Sequence, residues 1–344
     1  MRLGVMLGYL GFGTTAAEQL ALVREAERLG YDSAWAAEAY GSDAATMLAW
    51  LAAQTSTIDL GSAIFQIPAR SPAMTAMTAA TLDQLSGGRF RLGLGLSGPQ
   101  VAEGWHGQRY DRPLARTRDY LTVVRLALER KRVAYQGETM ALPLPDGPGK
   151  ALKLTITPMQ PRLPIYLGAM GPRNLALAGE LADGWLGFMY APEHAAGFRA
   201  HLEEGAARAG RGLDGFDVAP SVQVHVGDDV EAARDVMRPF LALYVGGMGS
   251  RERNFYNQQA RRYGFERQAA EVQEHYLAGR KQEAAAALPA GLIDLVTVCG
   301  PAGRVRERLA AFRESGVGTL LAAPSAWTHE ERLHQLRRLA ELAA

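Results

Sequence analysis

The chain has 344 residues, 48% of them apolar and 21% charged, an ordinary globular balance with ample material for a core. Its 37 Lys and Arg nearly cancel 36 Asp and Glu, so neither nucleic acid nor an anionic membrane is implied as a partner. A single cysteine, Cys299, excludes an intramolecular disulfide framework, points to a reducing cytoplasm and reads as a small core residue on a strand. The N-terminal MRLGVMLGYLG lacks the regions of a signal peptide, and no window holds 18 uninterrupted apolar residues. The expectation is a soluble cytoplasmic protein with no membrane partner.

Short apolar strands alternate with amphipathic helices along the chain. The pattern predicts a strand at 3–7 and a helix at 16–29 closed by Gly30, then a strand at 33–37 and a helix at 43–54. A strand at 59–65 precedes a helix at 72–85 that has Pro72 in its first turn. Further pairs are 90–94 with 114–130, 164–167 with 172–182, 184–189 with 192–208, and 218–226 with 229–243. Residues 319–322 and 329–342 complete eight units. Eight β-α units in one chain of this size predict an α/β fold, a (β/α)8 TIM barrel forming a single domain over 1–344. Two segments interrupt the alternation: 133–156 reads as a hairpin, and 246–288 as a helical insertion rich in Arg, Gln and Tyr. Both are expected on the C-terminal face, where barrel active sites lie.

Residues 89–98, RFRLGLGLSG, contain Gly93, Gly95 and Gly98 in the G-x-G-x-x-G spacing of a dinucleotide site. That reading needs a helix opening on the last glycine. Pro99, Gly104, Gly107 and Pro113 are expected to keep the chain in a loop, and Asp119, at the distance of a ribose ligand, falls inside a helical run. A nicotinamide site is therefore rejected.

The strand ends otherwise present small and apolar residues, without a Ser-His-Asp set, a glycosidase-like carboxylate pair or a cluster of metal ligands. Such a mouth suits a flat, largely apolar ligand, and a redox cofactor would explain the missing catalytic side chains. Gly168-Ala169-Met170-Gly171 before Pro172 puts free backbone N–H groups at a helix start, which suits a phosphate and equally suits an ordinary tight turn.

Four stretches carry a resemblance: LGSAIFQIPARSPAMTAMTAATLDQLSGGRF (60–90), LGLGLSGPQVAEGWHG (92–107), IYLGAMGPRNLALAGELADGW (165–185) and YVGGMGSRERNFYNQQARRYGF (244–265). Through them the chain resembles the luciferase-like flavin- and deazaflavin-dependent oxidoreductases, and within these the branch using coenzyme F420. The resemblance implies a homodimer of barrels acting on a small-molecule substrate. It also implies a bulge after the third strand, with a non-prolyl cis peptide joining Ala63 and Ile64 behind one face of the cofactor ring. Ser97 matches the ring contact after the fourth strand, and Gly168, Ala169, Met170 and Gly171 match the phosphate loop. Glu38 matches a cofactor-side position where relatives often carry Asp beside His; here Ala39 stands in place of that histidine. Pro99 replaces a carboxylate that often donates the proton.

Candidates for the proton donor are therefore Glu38, Glu103, His106 and Tyr190. His106 is also read as a loop anchor, Glu103 as a brace, and Trp105 as a pocket wall or a packed aromatic. Gln66 and Arg70 are candidate contacts to substrate or cofactor. Arg251, Arg253, Asn254, Tyr256 and Asn257 suit an anionic substrate, the cofactor's glutamate tail, a dimer contact or a solvated loop. The resemblance leaves two other functions open: an FMN-dependent monooxygenase using oxygen and a reductase partner, and a cofactor-less binding protein on the same barrel. No metal is expected.

Overall fold

A computed structural model describes residues 1–11, 13–249 and 251–344. The first half alternates β1 (Arg2–Leu7), α1 (Ala16–Arg28), β2 (Ser33–Ala36), α2 (Ala44–Ala52), β3 (Asp59–Ser62), β4 (Phe65–Gln66), α3 (Pro72–Ser86) and β5 (Phe90–Gly95). Then come α4 (Pro99–Gly104), α5 (Pro113–Leu128), β6 (Tyr135–Gln136), β7 (Ala141–Leu142), β8 (Ile165–Gly168), α6 (Pro172–Leu181), β9 (Gly184–Leu186) and α7 (Ala195–Arg208). The last third holds β10 (Asp217–Val218), β11 (Ser221–Val226), α8 (Val230–Ala242), α9 (Phe255–Arg262), α10 (Glu266–Leu277), α11 (Lys281–Ala286) and α12 (Ala290–Val296). It closes with β12 (Thr297–Gly300), α13 (Ala302–Glu314), β13 (Thr319–Pro324) and α14 (His329–Ala343).

Helix starts follow local chemistry. Thr15 and Glu18 close a capping box on α1, Thr328 and Glu331 another on α14, and Ser71 caps α3 ahead of Pro72. The main strands pair in parallel in the order β10-β9-β8-β5-β3-β2-β1-β13-β11-β12, and the sheet curls. Inside the curl lie Trp35, Tyr166, Leu186, Ala219 and Leu321, with Trp35 edge-on to Tyr166 at 5.1 Å between ring centroids. The outer face packs against the helices through a second, much larger apolar cluster that runs from Val5 to Leu342. No described helix is long and apolar enough to cross a membrane.

Three differences from the sequence reading matter. The expected strand 59–65 is broken into β3 and β4 by the cis Ala63–Ile64 peptide. Residues 99–104 form α4 rather than a loop, because Pro99 sits at the first helical position and Gly98 supplies the cap. The glycine string thus does open a helix, but Asp119 is no ribose ligand. It lies in α5 and accepts hydrogen bonds from Tyr135 Oη (2.8 Å) and Thr139 N (2.5 Å), anchoring the β6–β7 hairpin. Lastly, the helix expected to complete the seventh unit is α8, which packs with α11, α12 and β12 in the helical segment between β11 and β12. The helix that returns the chain to β13 is α13, where Val305, Leu309 and Phe312 recur at spacings of four and three. That periodicity was available in the sequence.

Candidate functional site

The site is assembled from β5 outward. Ser62 Oγ accepts the Gly93 N–H at 2.9 Å and donates to the Gly93 carbonyl at 2.8 Å, drawing β3 close to β5. A Cβ at Gly93 would lie 1.8 Å from the Ser62 carbonyl oxygen, so only glycine fits there. The Ala63–Ile64 peptide is cis, as the resemblance implied. It lays the Ile64 side chain over Gly95, where a Cβ would lie 2.2 Å from Ile64 Cδ1, and against Gly168, where it would lie 3.3 Å from Ile64 Cγ2. The glycines of β5 therefore make room for this bulge, not directly for a ligand. Beyond β5, Ser97 takes a left-handed backbone (φ 57°), a conformation non-glycine residues adopt sparingly and often at functional sites.

On the adjacent strand β8, Gly168 leads into Ala169, Met170 and Gly171. Trp185 Nε1 donates to the Ala169 carbonyl at 2.9 Å and fixes the loop. Gly171 caps α6 with no side chain of its own, and nothing lies within 4 Å of where a Cβ would stand. Asn174, in the first turn of α6, keeps a buried Oδ1 without a partner among the described residues. Open N–H groups and free space suit a phosphate at this helix start.

A polar cluster forms around Glu38, just past β2. Arg70 grips Glu38 with both nitrogens, Nη1 to Oε2 at 2.6 Å and Nη2 to Oε1 at 2.8 Å, and reaches Asp43 at 2.6 Å. Backbone N–H groups of Ala44 and Gln66 also donate to Glu38, at 3.2 Å each. Burial alone would lower Arg70, but Glu38 and Asp43 outweigh it and hold the guanidinium above its usual pKa. Gln66 is fully buried; its Nε2 donates to the Glu38 carbonyl at 3.1 Å, and its Oε1 meets His106 Nε2 at 2.5 Å. The structure thus joins Glu38, Gln66, Arg70 and His106 in one network.

Other candidates fall outside it. Glu103 accepts the Tyr110 N–H at 2.9 Å and braces its loop. Trp105 is exposed. Tyr190 turns its hydroxyl to Ser315 at 3.0 Å, in a buried contact beyond β9. Asn254 and Asn257 are buried and donate to carbonyls of Tyr244 and Val245, pinning a π-helical turn at Leu243–Gly247. Arg251 and Arg253 are exposed, and Ser250, within the same insertion and motif, lies outside the described residues. Sequence reasoning missed the wall this turn builds: Tyr244 packs on Phe188 (4.5 Å), Phe240 (4.7 Å) and Tyr256 (4.8 Å). Burial pushes the Tyr9 and Tyr256 phenols up to about 12, so both stay protonated. Phe188, after β9, and Tyr256, on α9, are too far along the chain from Phe240 and Tyr244 for a periodic signal to join all four.

Fold and site together define an α/β protein whose candidate centre lies at the C-terminal ends of a curled parallel sheet. The chain belongs to the luciferase-like monooxygenase family, whose model matches residues 1–319. It is 45% identical to a Mycobacterium tuberculosis protein named as a coenzyme F420-dependent oxidoreductase, over 92% of this chain and 93% of that one. It is 31% identical to the 5,10-methylenetetrahydromethanopterin reductase of Archaeoglobus fulgidus, over 87% of each chain. Among solved structures, the coenzyme F420-dependent tetrahydromethanopterin reductase of Methanopyrus kandleri superposes with a TM-score of 0.84 at 25% identity, covering 99% of this chain and 97% of that one.

Proposed function

We propose that the protein is a coenzyme F420-dependent oxidoreductase that exchanges hydride between this coenzyme and a small organic substrate. The observation that carries the reading is the pairing, on neighbouring strands, of the Ile64 bulge seated on Gly95 with the open helix start at Gly171. The uncapped N–H groups of the helix start and the space at Gly171 fit the phosphate of a phosphorylated cofactor. Bound there, the deazaflavin supplies a two-electron hydride carrier.

The protein's own residues divide the remaining work. Ala63 and Ile64 would back the ring, Ser97 would touch its edge, and Gly168, Ala169, Met170 and Gly171 would hold the phosphate. Glu38, with both oxygens committed to Arg70 and backbone N–H groups, braces the ring wall and does not act as the acid. Glu103 is committed to its own loop. His106 is left as the group that holds and moves a proton, its ring half-buried at the end of the network.

The reading includes an eight-stranded (β/α)8 barrel. Support comes from β10 and β11, which act as one strand bonded to β9 through Ala219 and Ser221 and to β13 through Leu321. The continuous apolar cluster supports one domain over 1–344, and the single-cysteine composition supports a cytoplasmic location. The exposed Met74, Met77 and Leu85 on α3 support a homodimer.

The deciding experiment titrates the purified protein with coenzyme F420 and with FMN, following fluorescence. Saturable F420 binding is expected; tight FMN binding with no F420 binding overturns the reading.

A further inference from the structure

His106 has two ring nitrogens, and the network around it distinguishes them. Gln66 stands fully buried between Glu38 and His106. Its Nε2 faces the backbone carbonyl of Glu38, which can only accept, so this end of the amide must be the NH2 group. The other end, Oε1, then faces His106 Nε2 at 2.5 Å, and an amide oxygen can only accept. Turning the amide round would set its oxygen against the Glu38 carbonyl oxygen, two acceptors face to face, and leave that buried carbonyl without its donor. The Glu38 carbonyl is itself held, since its residue is clamped by Arg70 and by the N–H groups of Ala44 and Gln66.

We infer that Gln66 is a positioning residue that locks His106 with its proton on Nε2 and makes Nδ1 the atom that gains and loses a proton. The inference rests on the reading of His106 as the proton-handling group. An amide is neither acid nor base in water, so no proton leaves through Gln66. In the neutral ring Nδ1 carries the lone pair; in the cation Nδ1–H donates while Nε2–H stays on Gln66. No described residue bonds to Nδ1, and the half-buried ring leaves it within reach of a ligand. The charged groups near the ring are Glu38, Arg70 and Asp43 behind Gln66, and Glu103 on α4. The first three neutralise one another in part, and Glu103 is bonded to its own loop.

The test is long-range 1H–15N spectroscopy of the histidine rings in 15N-labelled protein, with and without coenzyme F420, the His106 signals assigned by His106→Gln. A single neutral form protonated on Nε2 is expected in the native chain. A neutral ring protonated on Nδ1, or a mixture of both forms, overturns the inference without any variant having to fold. Gln66→Glu keeps the shape but places a carboxylate on Nε2–H, so the proton affinity of His106 should rise about tenfold or more. Gln66→Met removes the acceptor, and the excess of the Nε2–H form should fall several-fold. An unchanged affinity in the first and an unchanged ratio in the second also overturn it. Activity separates this from the reading beneath it. In Gln66→Glu the pH profile of kcat/KM should move with the spectroscopic titration of His106. A profile that stays put while the ring titration moves removes His106 from proton transfer and leaves the positioning result standing.

Discussion

Ile64 occupies the space that a side chain at Gly95 would need: a Cβ there would lie 2.2 Å from Ile64 Cδ1. The neighbouring glycine makes a different conflict. At Gly93 the same added carbon would meet the carbonyl of Ser62, at 1.8 Å, and backbone does not swing aside as the tip of an isoleucine does. Gly95→Ala should therefore cost about 1–2 kcal/mol, and Gly93→Ala clearly more, as overpacking against main chain. Denaturant unfolding of the two variants checks the order. Trimming the obstacle in Gly95→Ala/Ile64→Ala should recover stability relative to the sum of the single changes while weakening cofactor binding. Strict additivity of the two changes would show that they do not share this contact.

Much of this was legible beforehand, for reasons that differ by residue. The strands with their helices showed because a buried parallel strand reads as a short apolar run and an amphipathic helix as a 3.6-residue period. The role of Gly93 and Gly95 did not show, because a glycine's use depends on what presses against it from another strand. Glu38 reads as a candidate proton donor for the same reason: its partner Arg70 lies 32 residues away. The helical run correctly sets Asp119 aside as a ribose ligand, but its anchoring of Tyr135 and Thr139 depends on a hairpin 16 and 20 residues away. The break at α4 was the opposite kind of error, since Pro99 after Gly98 is a local helix-start signal that was taken for a loop signal.

The Glu38–Arg70 pair yields a stability prediction. Side-chain exposure is 8% for Glu38 and 14% for Arg70, so removing one partner strands a buried charge. Arg70→Met should lose about 3 kcal/mol. Glu38→Gln keeps an acceptor for the N–H groups of Ala44 and Gln66 and should lose less. Urea midpoints at neutral pH decide between these; equal losses would mean that the ion pair is not what Glu38 contributes.

Asp183 should govern part of the acid sensitivity. It accepts from Arg125 at 2.6 Å, from the Ile165 N–H at 2.8 Å and from Arg162 at 2.9 Å, tying β8 to α5. Burial alone would raise its carboxyl, but Arg125, the Ile165 amide and Arg162 outweigh burial and hold it below the ordinary value. Burial also pulls Arg125 down, yet a guanidinium stays charged across the working range. A carboxyl depressed in the native state stabilises above its unfolded pKa of about 4, and that contribution disappears as pH falls through the native value. Asp183→Asn should therefore lose about 2 kcal/mol near neutrality. The gap from the native chain should narrow below about pH 4. A gap that stays constant down to acid unfolding would refute the assignment.

The helix start at Gly171 allows a test in which stability and binding move in opposite directions. Gly171 has φ −93° and ψ 158°, extended backbone that any residue adopts, and open space where a side chain would project. Aspartate is a preferred cap and places negative charge at the positive end of the α6 dipole, so Gly171→Asp should stabilise the fold by a few tenths of a kcal/mol. The same carboxylate would compete with a phosphate for the same N–H groups and repel it across the open space. Affinity for coenzyme F420 should fall about tenfold or more, a loss of roughly 1.4 kcal/mol. Thermal unfolding of the unliganded protein and a fluorescence titration read the two effects separately. Because the fold does not weaken, lost binding cannot be blamed on damage. If affinity survives the substitution, the phosphate is held elsewhere.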